Sequence, residues 1–367
     1  MLTITEINDP GRLVDLRPEW DDLADRASPT DPFLRFEYLV PWSKYAAQGG
    51  RLRILILRDG GRLSGILPLM TRRAQRLGLG LVKTTFPARG TTPGCDLIVP
   101  EPREGVVRRA FEHLVSDGPW DVIHLAPLPA DSPHIGILER LAAERRLPFL
   151  ARPHRRGLYV PIEGTWQEYT RRLSRKTRKE LKRLLNQLGG KGTVGFFHRG
   201  GEGVEVGPLM EDVVSVTRRS WKWDETSPGF MGFLEEFATL LAQQGWLDVS
   251  FLSVDERPLA YVFSIRFREK LFAFYSAYDE GYAPFGPGML LMSLILEHAF
   301  ETGVRGCHFG TDWSYLERWT HSFNEYTELT IFNNSVASRI FRTWLLRVKP
   351  VVDDLRRGRP TLKEARS

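Results

Sequence analysis

The chain has 367 residues, of which 42% are hydrophobic and 26% charged, so its composition excludes collagen, a coiled coil and wholesale disorder. Its two cysteines, Cys95 and Cys307, are too few for a disulfide framework or a multi-cysteine zinc site, and the polar sequence after Met1 does not resemble a signal peptide, so we expect a cytoplasmic protein. The net charge of +6 favours anionic partners such as phosphates, nucleic acids or an acidic membrane face.

The first part of the chain predicts two helices followed by strands and helices in alternation. Asp9-Pro10 has the chemistry of a helix start, with Asp9 as the N-cap and Pro10 at the first helical position. Asp59-Gly60-Gly61 separates two apolar runs and predicts a hairpin turn. Up to residue 160 the pattern predicts helices over 9–27, 36–47, 103–115 and 132–146, a hairpin over 51–70, and strands over 79–86, 96–99, 120–125 and 149–160.

The second part of the chain begins with a long, strongly basic helical stretch. From Arg171 to Lys191 the sequence holds nine Lys and Arg residues against one acidic residue, Glu180. We expect a helix over 165–188 with a break near Ser174, because Gly189-Gly190 then ends the pattern. Further along, the sequence predicts strands over 193–198, 246–254, 258–267, 271–278, 304–309 and 327–332, and helices over 206–221, 229–243, 289–302 and 313–320.

The order of these elements indicates an internal duplication. Hairpin, strand, helix, strand, helix and strand follow one another over 51–160 and again over 246–332. Residue identity between the two copies is weak, so the duplication is one of element order. We therefore divide the chain into a first half over 1–160, a second half over 161–337 and a tail over 338–367.

The tail predicts a basic amphipathic helix. One side of that helix carries apolar residues, which suits either packing on the fold or a peripheral contact with a membrane surface. The residues of this apolar side are Ile340, Phe341, Trp344, Leu345 and Val348.

A glycine-bearing turn precedes the helix predicted over 289–302. Gly286 and Gly288 let a ligand approach the backbone closely, and Pro287 between them fixes the turn. The first turn of a helix also presents unpaired N–H groups and a partial positive charge, which together bind phosphate. We therefore assign the anchoring of a phosphate-bearing donor to the N–H groups of Gly286, Gly288 and Met289.

Several segments of the second half resemble the acetyltransferase-like domain of CelD/BcsL-type GNAT proteins, which are related to the FemAB aminoacyltransferases. The resemblance covers roughly residues 165–319. Its departures are His308 where an aspartate is usual, Asp312 in place of a glycine, and Leu316 in place of a lysine. The matching segments are Leu259-Ala260, Ala277-Tyr278-Asp279-Glu280-Gly281-Tyr282-Ala283, Gly286-Pro287-Gly288, Phe309-Gly310 followed by Tyr315, and the basic run from Ser174 through Arg183.

The resemblance implies a fold and an activity. The fold is α+β, with tandem GNAT-like domains whose mixed, largely antiparallel sheets are flanked by helices, as in FemAB-like proteins. The activity is acyl transfer from an activated donor, most often a CoA thioester, to an amine or hydroxyl. Acyl-CoA is then a cosubstrate, the acceptor is a small molecule or saccharide, and a role in polysaccharide or cell-envelope metabolism follows.

Direct acyl transfer needs a base for the acceptor and an acid for the leaving thiolate. Asp279 and Asp312 are the base candidates, because each follows the end of a predicted strand; the alternatives are loop capping for Asp279 and a helix N-cap for Asp312. Tyr315 is the acid candidate, with simple packing as the alternative. Tyr278 lines the predicted site, and Arg175 and Lys176 of the basic stretch are placed to bind an anionic donor, unless that stretch is merely a solvated helix face.

Three alternatives for the function stay open. The favoured one is the acyl-CoA-dependent transferase, with an acyl carrier protein as a further partner to consider and with no nucleic acid partner expected. The second uses an aminoacyl-tRNA donor, as FemAB relatives do, and the third is a non-catalytic scaffold that retains the fold. No spacing of His, Cys or carboxylate residues indicates a metal site, so we expect no metal.

Overall fold

The computed structural model describes residues 1–27, 31–45, 50–76, 78–87, 94–224, 228–310 and 316–350. Twelve strands in these ranges form one sheet, which helices cover on both faces. The strands are β1 (Leu2–Ile7), β2 (Gly50–Asp59), β3 (Arg62–Arg76), β4 (Leu79–Thr85), β5 (Val122–Pro129), β6 (Phe149–Pro161), β7 (Val194–Gly200), β8 (Leu247–Val254), β9 (Arg257–Phe267), β10 (Lys270–Tyr278), β11 (Gly306–Phe309) and β12 (Ser322–Phe332).

The helices follow the order that the sequence predicts, within a few residues at each end. Three-residue to seven-residue 3₁₀ turns add to them at Pro10–Leu16, Pro32–Leu34, Trp221–Trp223 and Glu280–Phe285. The α-helices are α1 (Arg17–Ala27), α2 (Phe36–Tyr45), α3 (Glu104–Ser116), α4 (Pro133–Glu144), α5 (Trp166–Arg172), α6 (Arg175–Gly189), α7 (Val206–Arg218), α8 (Pro228–Gln243), α9 (Pro287–Glu301) and α10 (Val336–Thr343).

The strand order joins the two halves of the chain through an exchange of strands. Across the sheet the order is β1-β2-β3-β4-β5-β12-β6-β11-β10-β9-β8-β7. The last strand, β12, lies beside β5 of the first half, and β6 of the first half lies beside β11 of the second. Each half therefore completes its part of the sheet with a strand from the other.

The two halves repeat one pairing pattern. An antiparallel hairpin leads in each to a parallel pair, β4 with β5 in the first half and β10 with β11 in the second. The expected fold class, a mixed and largely antiparallel sheet flanked by helices, is confirmed. The strand predicted over 96–99 is wrong, since this segment makes only one isolated bridge, between Ile98 and Ile66.

The largest core cluster lies where helices of both halves meet one face of the sheet. α1 and α2 pack there beside α7 and α8, over β2, β8, β9 and β10. Its centre is aromatic, and rings of this kind in edge-to-face and stacked contact contribute about 1 kcal/mol per pair beyond their burial. The central rings are Phe33, Tyr38, Phe233, Phe237 and Phe274.

The break predicted near Ser174 separates α5 from α6. A capping box begins α5, with the Thr165 hydroxyl accepting from the Glu168 amide and the Glu168 carboxylate accepting from the Thr165 amide. Leu173 is extended, and the Ser174 hydroxyl then accepts from the Thr177 amide as the N-cap of α6. The basic stretch thus starts a new helix with its own direction.

The helix of the tail packs with a different face from the one predicted. Phe341, Trp344 and Leu345 contact the sheet, but Ile340 is 43% and Val348 44% exposed. The packed side is thus narrower than the one predicted, and a π-helical turn over Trp344–Val348, which holds more residues than an α-turn, changes the direction of Val348. None of the described helices is long and apolar enough to span a bilayer.

Candidate functional site

The candidate site begins where two parallel strands stop pairing. Residues 270–273 of β10 pair with residues 306–309 of β11, and β11 ends there. β10 continues to Tyr278 beside β9, after an irregularity in register between Ala273 and Tyr275. Along its last residues, the edge of β10 that faces β11 has no strand partner in the described ranges. We call this edge, residues 274–278, the open edge of β10.

The corresponding opening in the first half is filled by the chain itself. The Cys95 amide donates to the Pro127 carbonyl of β5, and Ile98 exchanges two backbone hydrogen bonds with Ile66 of β3. Both Cys95 and Cys307 are buried, and burial raises the pKa of each thiol, which leaves neither suited to act as a nucleophile. Only the second of the two repeated openings therefore keeps an unpaired strand edge among the described residues.

The open edge of β10 leads directly into the glycine-bearing turn. Asp279 caps the 3₁₀ turn Glu280–Phe285, and Gly286 follows in the left-handed conformation with φ of 57°. A Cβ atom on Gly286 would lie 2.8 Å from Cδ1 of Leu184 in α6. Both the backbone angle and the close approach of α6 thus require glycine at this position.

Gly288 presents the N–H group that remains available for a ligand. The Gly286 amide donates to the Ala283 carbonyl, and the Met289 amide donates to the Gly286 carbonyl at 3.0 Å. The Gly288 amide makes no hydrogen bond to a described residue, and a Cβ atom there would meet nothing within 4 Å. Of the three amides assigned from the sequence, the structure leaves Gly288 open to solvent at the first turn of α9.

Positive charge surrounds this turn. The Arg318 guanidinium contacts Sδ of Met289 at 3.0 Å, and the Lys191 ammonium lies 5.5 Å from the centre of the Phe285 ring. α6, which packs beside the turn, adds five exposed cations, none of which makes an ion pair with a described residue. These five are Arg175, Lys176, Arg178, Lys179 and Lys182.

Asp279 is held by basic partners. Its Oδ2 accepts from Nε of Arg219 at 2.6 Å and lies 3.5 Å from Nη2 of Arg257, while Oδ1 accepts from the Gly281 amide. Its side chain is only 10% exposed. These contacts match loop capping, and the role of a base for Asp279 stays a prediction.

Of the remaining candidates, Tyr278, Asp312 and Tyr315, only Tyr278 lies within the described residues. Tyr278 ends β10, is partly buried and packs against the core beneath α9. Asp312 and Tyr315 lie outside the described residues, as do the first three residues of the helix predicted over 313–320. Gly310, the last described residue before them, lies at the end of β11, and its backbone is 3.7 Å from the position of a Cβ atom on Gly157.

His308 lies on β11 among aromatic side chains. Its ring stacks on Phe272 with centroids 4.5 Å apart and is 4.7 Å from Tyr159. Its Nδ1 lies 2.8 Å from the amide nitrogen of Asn324, which makes Nδ1 the acceptor. Burial, with a smaller effect of Lys270, lowers the pKa of His308 to about 3, so this histidine is neutral near pH 7.

Asp31 is a buried titratable residue that the sequence did not single out, and it neighbours Asp96 in the segment that closes the first opening. Its Oδ1 accepts from the Phe33 amide at 2.8 Å, and Phe33 packs against Phe272 and Phe274 of β10. Burial raises the pKa of Asp31 to about 6, with neighbouring Asp96 adding to the increase. The sequence signal, Asp before Pro, indicates only the cap of a turn.

One group of side chains in the described ranges has the spacing of a metal site. Glu6, His113 and Asp117 offer ligand atoms within 4.8 Å of one another. However, the Arg53 guanidinium donates to Glu6 at 2.8 Å and lies 3.9 Å from Asp117. Because a fixed cation already neutralises these carboxylates, we assign no metal to them.

One family model matches the part of the chain in which this candidate site lies. Residues 175–319 match the model of the acetyltransferase (GNAT) domain, a range that contains α6, the open edge of β10 and the first turn of α9. No curated protein matches the chain. The assignment to CelD/BcsL-type proteins stays a prediction.

Solved structures share the fold over nearly the whole chain. FemX is 10% identical, with a TM-score of 0.56 over 94% of this chain and 99% of its own. L-PGS from Bacillus licheniformis is 10% identical, with a TM-score of 0.55 over 90% and 95%. The C-terminal domain of a protein described as a lysylphosphatidylglycerol synthetase from Agrobacterium fabrum is 12% identical, with a TM-score of 0.57 over 91% and 96%. At these low sequence identities, the similarity shows a shared fold and nothing more specific.

Proposed function

We propose that this protein is an acyltransferase that moves an acyl group directly from an acyl-CoA thioester to an amine or hydroxyl of a small-molecule or saccharide acceptor. The observation that carries the proposal is the continuity between the open edge of β10 and the first turn of α9. A reacting carbonyl can lie along the former while the donor's phosphates contact the latter. The GNAT match covers both elements.

The donor is held at two points. The Gly288 amide and the positive end of α9 bind a phosphate oxygen, and Arg318 and the cations of α6 add attraction for the remaining negative charge. Backbone N–H groups of the open edge of β10 meet the oxygen of the reacting carbonyl, where negative charge develops during transfer. Because these fixed amides stabilise the negative charge on the oxygen, direct transfer needs no nucleophilic side chain from the protein.

The transfer step moves one acyl group and one proton. The acceptor nitrogen or oxygen forms a bond to the carbonyl carbon, the carbon–sulfur bond breaks, and the acceptor's proton passes to a base. The candidates for that base are the two aspartates that the sequence singled out. They are Asp312 and Asp279, and Tyr315 is proposed to protonate the leaving thiolate.

A turnover assay tests this proposal. Release of free CoA from acetyl-CoA and from a long-chain acyl-CoA is followed with a panel of amines and amino sugars. Turnover that requires both donor and acceptor supports the proposal. Native mass spectrometry with CoA, run in parallel, distinguishes an inactive preparation from a scaffold, since a scaffold that binds CoA without turnover contradicts the enzymatic function.

A second candidate is a transferase that uses an aminoacyl-tRNA donor. The five exposed cations of α6 without ion-pair partners favour it, because they exceed what one CoA molecule requires. The relation in fold to a protein described as a lysylphosphatidylglycerol synthetase is consistent with an aminoacyl group on the donor. Binding of tRNA with a steep loss of affinity as salt rises, and no binding of CoA, would decide for this candidate.

A further inference from the structure

The helix of the tail is fixed to the fold at its N-terminus. Ser335 caps α10 by accepting from the Ser338 amide at 3.2 Å, and its hydroxyl donates to the Asp121 carboxylate at 2.6 Å. The Ser338 hydroxyl donates to the Asp121 backbone carbonyl at 2.8 Å. With Phe341, Trp344 and Leu345 packed against the sheet, the opposite side of the helix has a fixed direction.

The same helix carries exposed apolar residues beyond the ones that pack on the sheet. Val336 is 72%, Ile340 43%, Leu346 50% and Val348 44% exposed. Exposed hydrophobic residues are usual when they are scattered singly, but four on one short helix form a patch that marks an interaction surface. We call the exposed surface of residues 336–348 the outer face.

Positive charge borders the outer face. Residues 336–350 contain Arg339, Arg342, Arg347 and Lys349 and no acidic residue. Arg342 and Arg347 make no ion pair with a described residue. Together with Leu346 they also line a groove of about 530 Å³ whose other wall is Leu147, Pro148 and Phe149.

We propose that the outer face and this groove bind the surface of an anionic phospholipid bilayer. The apolar side chains enter the boundary between headgroups and acyl chains, and Arg342 and Arg347 contact lipid phosphates. The contact is peripheral, with the helix lying in the plane of the interface.

The charges favour a bilayer over two other occupants of the outer face. A second copy related by two-fold symmetry would bring the same arginines together, and like charges oppose that contact. Residues 351–367 could fold back, but they hold five basic and three acidic residues, so their net charge has the same sign as the face. An anionic membrane complements the face in both charge and apolar surface.

Co-sedimentation of the full chain with vesicles tests this proposal without any donor or turnover. We expect binding to phosphatidylcholine vesicles that contain phosphatidylglycerol and little binding to phosphatidylcholine alone. Arg342→Gln with Arg347→Gln should weaken the partition coefficient about 25-fold, at about fivefold for each arginine. Ile340→Ser with Leu346→Ser should weaken it about tenfold or more.

Matched variants control for charge and exposure. Arg12→Gln with Arg62→Gln removes two exposed arginines outside the tail, and Val14→Ser removes an exposed apolar residue close to Arg12 in the sequence. Both should bind vesicles as the unchanged protein does, and thermal unfolding checks that every variant is folded.

Two results would overturn the proposal. The first is a folded protein that stays in solution with both vesicle types, or whose outer-face variants bind as the unchanged protein does. The second is a dimer, detected by sedimentation velocity, that the Ile340→Ser and Leu346→Ser changes abolish, because the face would then belong to a second copy. Loss of catalytic activity in any variant bears on neither result.

Discussion

Gly288→Asp separates donor binding from stability more sharply than other changes at the candidate site. The position is exposed, lies in the first turn of α9, and has open space where a Cβ atom would be. An acidic residue in the first turn of a helix stabilises it by about 0.3–1 kcal/mol, because it faces the positive end of the helix dipole. The variant should therefore unfold at the same temperature as the unchanged protein or slightly above it.

The same carboxylate should oppose a bound donor. It would occupy the space in front of the Gly288 amide, about 5 Å from a phosphate that this amide binds. At an effective dielectric constant between that of the protein surface and that of water, two such charges repel by about 1–3 kcal/mol. The Kd for CoA should then rise by about 5- to 150-fold.

Isothermal titration calorimetry with CoA measures this effect, and Gly288→Asn is the matched control. Asparagine has the same shape without the charge, so its Kd shows the contribution of size alone. An unchanged Kd in Gly288→Asp would falsify the assignment of the phosphate site. An equal loss in both variants would show that the site excludes side chains but does not hold a negative charge.

Three further changes test the structure, two of them around this turn. Gly286→Ala should lower the free energy of unfolding by about 1–3 kcal/mol, measured in urea, because alanine disfavours the left-handed conformation and would contact Leu184. Asp279→Asn should cost about 1–3 kcal/mol by weakening the hydrogen bond from Arg219, while the Kd for CoA stays unchanged. Asp31→Asn tests a buried carboxylate outside the turn. Because the folded-state pKa of Asp31 is raised to about 6, its charge costs stability as pH rises from about 4 to 6. Thermal unfolding should therefore show this variant to be at least as stable as the unchanged protein at pH 7, with no such advantage below pH 4.

Local chemistry made much of the fold predictable. The hairpin turns follow from residues that tolerate positive φ, as Gly60 does at 56°, and Asp255 and Glu256 adopt the same region at the turn before β9. The break at Ser174 follows from an N-cap side chain after an extended residue. In these cases the deciding interactions lie within a few residues of one another, where the sequence displays them.

Features that depend on distant contacts could not be predicted in this way. The sequence predicts that β6 and β12 are strands, but it does not indicate which strands they pair with. Their exchange between the halves is therefore visible only in the strand order of the sheet. The direction of Val348 in the tail depends on a π-turn that the pattern of apolar residues does not reveal. The raised pKa of Asp31 arises from burial by residues far along the chain, although the sequence suggests only a turn cap.

The strand exchange also explains why a duplicated architecture would hold one site. The first half closes its own opening with the segment that contains Cys95 and Ile98, so its described residues leave no strand edge for a donor there. The second half keeps its opening but relies on the first for β6, which pairs with β11. It relies on the first half again for Phe33, which packs on Phe272 and Phe274 of β10. The second half expressed alone would therefore lack a neighbour for β11 and an aromatic contact of β10, so the two copies are expected to work only as a unit.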